Sequence, residues 1–223
     1  MDSKINDYLK LNKLFEENGY KLYLVGGTVR DYLLGISLTD MDAVTNATPE
    51  EMKAFLKDAN FTFAKYGSVT IKLDKKVKFD ITTMRKETSY LDARHPSKIQ
   101  FIKDLKVDVR RRDFTVNALY LDKDLKVIDY VDGQKDLENR LLRMVGDPKI
   151  RLKEDPLRII RAIRFAVDYD LSLDEDLEQA IIDTKSELNN LNPEKIKQDL
   201  AKCKVTDRSI VLQYLEKFDI KLS

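Results

Sequence analysis

Cysteine is almost absent from this chain: Cys203 stands alone among 223 residues, which rules out an intramolecular disulfide and a cysteine metal cluster. Such usage fits a reducing compartment, so a cytoplasmic location is expected. Histidine is equally scarce, and His95 sits in a polar stretch where an incidental role is expected. No long apolar run is present. The opening segment MDSKINDYLKLNKLF interleaves Lys4, Asp7 and Lys10 with apolar residues at helical spacing, unlike a signal-peptide core or a membrane span. Neither sign of charge dominates: 40 basic and 39 acidic residues leave a net charge of +1, which neither demands nor excludes a polyanionic partner. Internal repeats and low-complexity tracts are missing as well. What the chain does have is 43% hydrophobic and 35% charged residues, enough for one large or two small domains with a core.

The hydrophobic period changes along the chain. Ile5, Tyr8, Leu9, Leu14 and Phe15 recur at helical spacing before Asn18-Gly19. LYLV (22 to 25) then reads as a buried strand, Thr28 to Leu34 as a short helix closed by Gly35, and MDAV (41 to 44) as a second strand. Thr48-Pro49-Glu50-Glu51 offers a capping box with proline in the first turn, predicting a helix to about Ala59. FTFA, SVTIKL, VKFDITT, KIQFI and LKVIDYV (125 to 131) read as strands of a mixed sheet. Beyond about residue 138 every periodic segment is helical. The expected architecture is α+β, with a catalytic unit over 1–138 and an all-helical domain over 139–223.

The chemistry concentrates in LVGGTVRDYLLGISLTDMDAV (24 to 44). Residues i and i+2 of a strand share a face, so Asp40 and Asp42 project together. Two carboxylates on one face need a positive neutraliser, and a hard cation such as Mg²⁺, completing its shell with phosphate oxygens, supplies one. Asp80 in VKFDITT is a third candidate for the site. Gly26 and Gly27 have no side chains, so a triphosphate can approach their amides and the helix N-terminus that follows, with Arg30 adding a cation and Asp31 as its structural partner.

Together these elements resemble the nucleotidyltransferase signature of the DNA polymerase β superfamily. The fuller string VGGTVRDYLLG, followed by DMDAVTNATPEEM, is similar to a narrower group, the class II CCA-adding tRNA nucleotidyltransferases and bacterial poly(A) polymerases. Three later segments agree with that resemblance: RRDFTVNALYLD (111 to 122), DGQKDL (132 to 137) and EDPLRIIRAIRF (154 to 165). In the first, Asp113 and Asn117 are four apart, hence expected on one helical face, with Arg112 just before them. The resemblance implies that this cluster recognises a ribose hydroxyl, and that DGQKDL joins a polymerase β-like head to a helical neck. In the third, an ionised Asp155 only accepts hydrogen bonds and Arg158 only donates them. That pair matches the amino donor and ring-nitrogen acceptor shared by cytosine and adenine, and mismatches uracil and guanine. The resemblance gives Glu154 the task of holding the arginine, and places Arg161 and Arg164 among the nucleotide-binding residues. From Arg140 to Arg164 eight basic residues face three acidic ones, a band suited to phosphate contacts. The loop of Arg94, His95 and Pro96 resembles one that helps family members switch from C to A.

The resemblance therefore implies an enzyme that adds C and A from CTP and ATP to the 3′ end of tRNA, without a template, by a two-metal mechanism in which Asp40 and Asp42 hold Mg²⁺. It also implies head and neck only, without the body and tail domains. A C-only adder, an A-only adder and a poly(A) polymerase share this chemistry. An inactive RNA-binding module is the alternative of a different class. Aspartate at 80, where relatives often carry glutamate, shortens the third acid by one methylene.

Overall fold

The computed structural model describes residues 3–73, 77–90 and 96–221, with the side chains of 88–90 and 96–98 excluded. The described residues fall into two compact units. One draws on Met1–Thr88, Lys98–Arg112 and Val116–Gly133, the other on Ser89–Ser97, Asp113–Thr115 and Gln134–Ser223.

The first unit is built on a six-stranded mixed sheet. Its strands are β1 (Leu22–Val25), β2 (Met41–Thr45), β3 (Ser68–Leu73) and β4 (Val77–Thr83); β5 (Arg85–Tyr90) and β6 (Pro96–Phe101) pair separately, and β7 (Tyr120–Leu121) and β8 (Val127–Ile128) complete the large sheet. The order across it is β3-β4-β2-β1-β7-β8. Only β2 and β4 run parallel, in a register that sets Asp42 beside Asp80. Helix α1 (Ser3–Glu17) buries Ile5, Tyr8, Leu11 and Phe15 at spacings of three and four, as its periodicity predicts, and ends before Gly19 at φ 82°. Tyr8 donates its hydroxyl to the carbonyls of Leu22 and Leu121, each at 3.1 Å, and Asn12 donates to Leu22 at 2.6 Å. These buried bonds tie α1 to both strands while satisfying carbonyls that water cannot reach. Helix α2 (Gly27–Leu33) follows β1 directly, and α3 (Pro49–Lys53) carries the predicted capping box at Thr48 and Glu51.

Three expectations in this unit are corrected. The helix from Thr48 stops at Lys53 rather than near Ala59, because the next amides, Ala54 and Phe55, bond three residues back and tighten the chain into turns. FTFA is a turn leading into a 3₁₀ segment, Ala64–Tyr66, and only Asn60 bridges to β3. LKVIDYV contributes two strand residues, not seven.

After α4 (Leu105–Asp108) and α5 (Gly133–Glu138), the second unit contains β9 (Leu141–Leu142), α6 (Pro148–Glu154), α7 (Leu157–Tyr169), β10 (Ser172–Leu173), α8 (Glu175–Thr184), α9 (Pro193–Leu200) and α10 (Ser209–Lys217). From Gln134 on, its described residues are mainly helical, as expected, with a two-residue parallel pairing of β9 and β10 added. Helix α7 lies at its centre, packing against α6, α9 and α10 and burying ten residues. Pro156 separates α6 from α7, so EDPLRIIRAIRF is two helices with a break at Asp155, not one.

Candidate active site

Gly26 closes β1 at φ 67° and ψ −137°, a conformation in which any L side chain is strained. A Cβ there would lie 3.9 Å from Asp42 Oδ2, an ordinary contact, so backbone strain rather than space demands glycine. The turn sets Gly26, just before α2, beside the Asp42 carboxylate of β2. Thr28 then locks the two segments together: its buried hydroxyl donates to the carbonyl of Asp40 at 3.2 Å and accepts from the amide of Asp42 at 2.8 Å. Nothing in the strand period announced this clamp; its only signal is a hydroxyl residue directly after the glycine pair. Thr28→Val keeps the volume and removes both bonds. It is expected to cut turnover at least about tenfold while costing about 1 kcal/mol of stability, checked by steady-state kinetics beside thermal melting.

Asp40 and Asp42 are both exposed, while Asp80 is half-buried. Surrounding protein mass, then the charge of Asp80 and later that of Asp40, push the Asp42 carboxyl up to about 6 despite the opposing pull of Arg112 and Lys78. Asp80 is itself engaged, accepting from Thr70 Oγ1 at 2.7 Å and from Lys78 Nζ at 2.6 Å. Among the described residues no group of three or more His, Cys, Asp or Glu side chains is gathered to hold a metal. Asp42, raised by burial and then by the charges of Asp80 and Asp40, nevertheless fits a divalent cation that arrives with ligands of its own, because added positive charge favours its ionised form.

Arg30 is 4% exposed and turned inward, donating Nε at 3.0 Å and Nη2 at 2.8 Å to Asp31 Oδ1, and Nη1 to Asn117 Oδ1. It thereby orients the Asn117 amide with its NH₂ as donor. Asp31 is the partner expected for it. The segment around Asn117 departs from expectation. Asp113 and Asn117 do not share a helical face: Val109–Arg111 is a 3₁₀ turn, Arg112 is extended, and Thr115–Asn117 is a second 3₁₀ turn. Backbone bonds from Thr115 N to Arg143 O at 2.9 Å and from Val145 N to Asp113 O at 2.8 Å hold Asp113–Thr115 in the second unit and override the helical spacing.

Arg111 and Arg112 are drawn inward, while Arg110 stays exposed. Asp108, 0% exposed, accepts from Arg111 Nε at 2.8 Å, Arg112 Nη2 at 2.8 Å, Tyr120 OH at 2.9 Å and Arg85 N at 3.1 Å. Burial opposes its charge, but the guanidiniums of Arg112 and Arg111 hold its carboxyl well below the usual carboxylate range. Sequence reasoning missed Asp108, although its spacing of three and four to two arginines was a usable signal.

In the second unit Asp155 caps the end of α6 and accepts from Leu157 N at 3.2 Å. Arg158, 6% exposed, donates to the carbonyl of Arg151 at 2.7 Å and lies 3.4 Å from Glu154, so Glu154 does touch the arginine. Arg161 grips Asp113 through Nε at 2.9 Å and Nη2. That contact makes Asp113 a structural partner of α7. Arg164 is buried against Asp199 at 3.1 Å, which anchors α9 on α7. Arg94 and His95 lie outside the described residues.

Comparison with known proteins agrees with this geometry. The model of the poly A polymerase head domain matches residues 22–143. The chain is 41% identical over 194 residues to a CCA-adding enzyme of Lactobacillus johnsonii, covering 87% of this chain and 48% of that protein. A CCA-adding enzyme of Staphylococcus epidermidis is 37% identical over 190 residues, covering 85% and 47%. Among solved structures, the Bacillus stearothermophilus CCA-adding enzyme in complex with CTP superposes with a TM-score of 0.88 at 30% identity, over 97% of this chain and 53% of that one. The Thermotoga maritima CCA-adding enzyme complexed with tRNA gives 0.79 at 27% identity, over 99% and 52%. The chain thus spans about half the length of the relatives it matches. With a glycine turn set against paired aspartates on a mixed sheet, and a family match over more than half its length, the chain belongs to the poly A polymerase head domain family, whose fold is that of a nucleotidyltransferase.

Proposed function

We propose that this chain is a template-independent RNA nucleotidyltransferase that adds C and A from CTP and ATP to the 3′ end of tRNA. The observation that carries the reading is the Asp42 carboxylate, set in register beside Asp80 of β4 and facing the bare turn at Gly26. Support for the acceptor comes from the CCA-adding enzymes of similar sequence and fold.

In this reading Asp40 and Asp42 would hold the divalent metal, Mg²⁺, in a two-metal arrangement that activates the RNA 3′ hydroxyl and neutralises the leaving pyrophosphate. The amides of Gly26 and Gly27 receive phosphate oxygens, and Thr28 keeps that turn in register with both aspartates. Asp80 sets the charge on Asp42 and is itself steadied by Thr70 and Lys78. Arg112 adds positive charge toward Asp42, and Arg30 fixes the Asn117 amide for a ribose hydroxyl. Asp155 and Arg158 choose the base, the arginine being braced by Glu154 and the Arg151 carbonyl. Arg161, Asp113 and Arg164 support α7, which carries Arg158. Catalysis is then mostly positioning and electrostatics.

The test uses purified protein, Mg²⁺, each of the four labelled nucleoside triphosphates and tRNA lacking one, two or three terminal nucleotides. Ordered incorporation of C, C and A is expected; incorporation of none, into any tRNA, overturns the reading. Base choice has its own prediction. Asp155→Asn adds a donor where only an acceptor stood, so discrimination against UTP and GTP should fall at least about tenfold. An unchanged ratio of kcat/KM values between CTP and UTP contradicts the role given to Asp155.

A further inference from the structure

Three large aromatic side chains of the first unit are exposed together around the start of β3: Phe63 at 61%, Tyr66 at 40% and Phe101 at 37%. They are neighbours. Tyr66 N bonds to Phe63 O at 2.9 Å, and Gly67 follows at φ 84°, where an added Cβ would sit 2.8 Å from the Phe101 ring. A glycine is thus required both by backbone and by the ring lying across it. The aromatic edge is flanked by cations: Lys65 Nζ stands 4.7 Å over the Tyr66 ring, and Arg85 donates to the Tyr66 carbonyl at 2.5 Å. The carboxylate in this neighbourhood, Glu87, is paired with Arg85 at 2.8 Å.

Exposed rings beside cations are poor design for a surface that meets only water, since apolar area left in contact with water is unfavourable. Rings offer flat faces on which bases of any identity stack, and cations beside them suit a phosphate backbone. The position adds to this. Gly67 accepts from Thr83 N at 2.8 Å, and Thr83 is three residues beyond Asp80 on β4, about 10 Å at a strand rise of ~3.3 Å. We infer that Phe63, Tyr66 and Phe101, with Lys65 and Arg85, form a stacking platform for unpaired nucleotides of an RNA strand. This inference deepens the nucleotidyl-transfer reading by naming where the acceptor strand is held, yet its binding test does not need transfer to occur.

The probe is a fluorescently labelled single-stranded RNA oligomer without secondary structure, titrated with the full chain and followed by anisotropy at several salt concentrations. Phe63→Leu with Tyr66→Leu keeps apolar bulk and removes the rings; affinity should fall about tenfold or more. Phe63→Tyr with Tyr66→Phe keeps the rings and should leave affinity within about twofold of wild type. Lys65→Gln should lower the slope of log affinity against log salt by about one. Under the same substitutions incorporation should show a raised KM for RNA and an unchanged kcat. Equal affinity of the double leucine variant and wild type, at matched melting temperature, overturns the platform. So does loss of a dimer on sedimentation with RNA affinity intact, because the patch would then be covered by a second copy. If wild type binds the oligomer through these rings but incorporates nothing, the platform stands and nucleotidyl transfer falls.

Discussion

Asp42→Asn is expected to lower nucleotide incorporation at least about a thousandfold with no loss of stability. A factor of that size is about 4 kcal/mol of barrier, within what metal-borne charge stabilisation supplies at a phosphoryl centre. Asparagine matches the volume of aspartate and removes the charge that Asp80 and Asp40 repel, so the fold gains nothing by keeping the acid. A cation beside Asp42 would favour the ionised form that burial and the neighbouring acids disfavour. Millimolar Mg²⁺ should therefore raise the melting temperature of wild type and raise that of the variant much less, since only the former binds the ion well. Chelation with EDTA should abolish incorporation by wild type. Near-normal activity of Asp42→Asn contradicts the assignment of the metal to the Asp40 and Asp42 pair.

The second large effect is on stability. Asp108→Asn leaves Arg111 and Arg112 without their shared carboxylate in a fully buried position. Breaking one side of such a pair costs about 3–5 kcal/mol, which for a chain of this size is a fall of about 10 °C in melting temperature. The pH dependence follows from the direction of the shift. Folding holds the Asp108 carboxyl below its unfolded value of about 3.9, so its stabilisation is fully present above that value and is lost as pH falls toward the folded one. The gap in stability between wild type and Asp108→Asn should be constant from neutral pH down to about 5 and should narrow below about 4. A gap that stays constant to pH 3 contradicts the ion-pair origin. Incorporation should also fall, because Arg112 is the cation that offsets the repulsion at Asp42 and Asp108 is what positions it.

The parts of the fold legible in the sequence are those set by short-range rules. Alternation in VKFDITT puts Phe79 and Ile81 inside and Asp80 half-buried on the other face, as a period of two requires. Gly26 declares the turn because no other residue adopts its backbone without strain. The glycine turn and Asp42 fall on the consecutive elements the sequence suggests, whereas Asp40 sits one residue before β2 begins, and β2 against β4 adds the register that no local rule supplies. Helical spacing failed where distant backbone groups compete for the same amides. Asp113 and Asn117 are four apart, yet Thr115 and Asp113 bond to Arg143 and Val145, some thirty residues on. The helical period expected through EDPLRIIRAIRF is interrupted for a local reason, since Pro156 breaks the helix immediately after Asp155. Burial of Arg112, Arg158 and Arg164 was not legible for a third reason: each finds a carboxylate or carbonyl, and Arg164 pairs both with Asp168 on its own helix and with Asp199 on α9. Charge runs predict exposure only when no partner is available, and partners are a tertiary property.

The measurement that tests the central claim most directly is a single-turnover assay with end-labelled tRNA lacking its last three nucleotides, CTP, ATP and Mg²⁺, run beside Asp42→Asn at equal folded concentration. The predicted result is extension by three nucleotides and then arrest with wild type, and no extension on the same timescale with the variant. No extension by wild type, or equal extension by both proteins, would contradict nucleotidyl transfer at the aspartate pair.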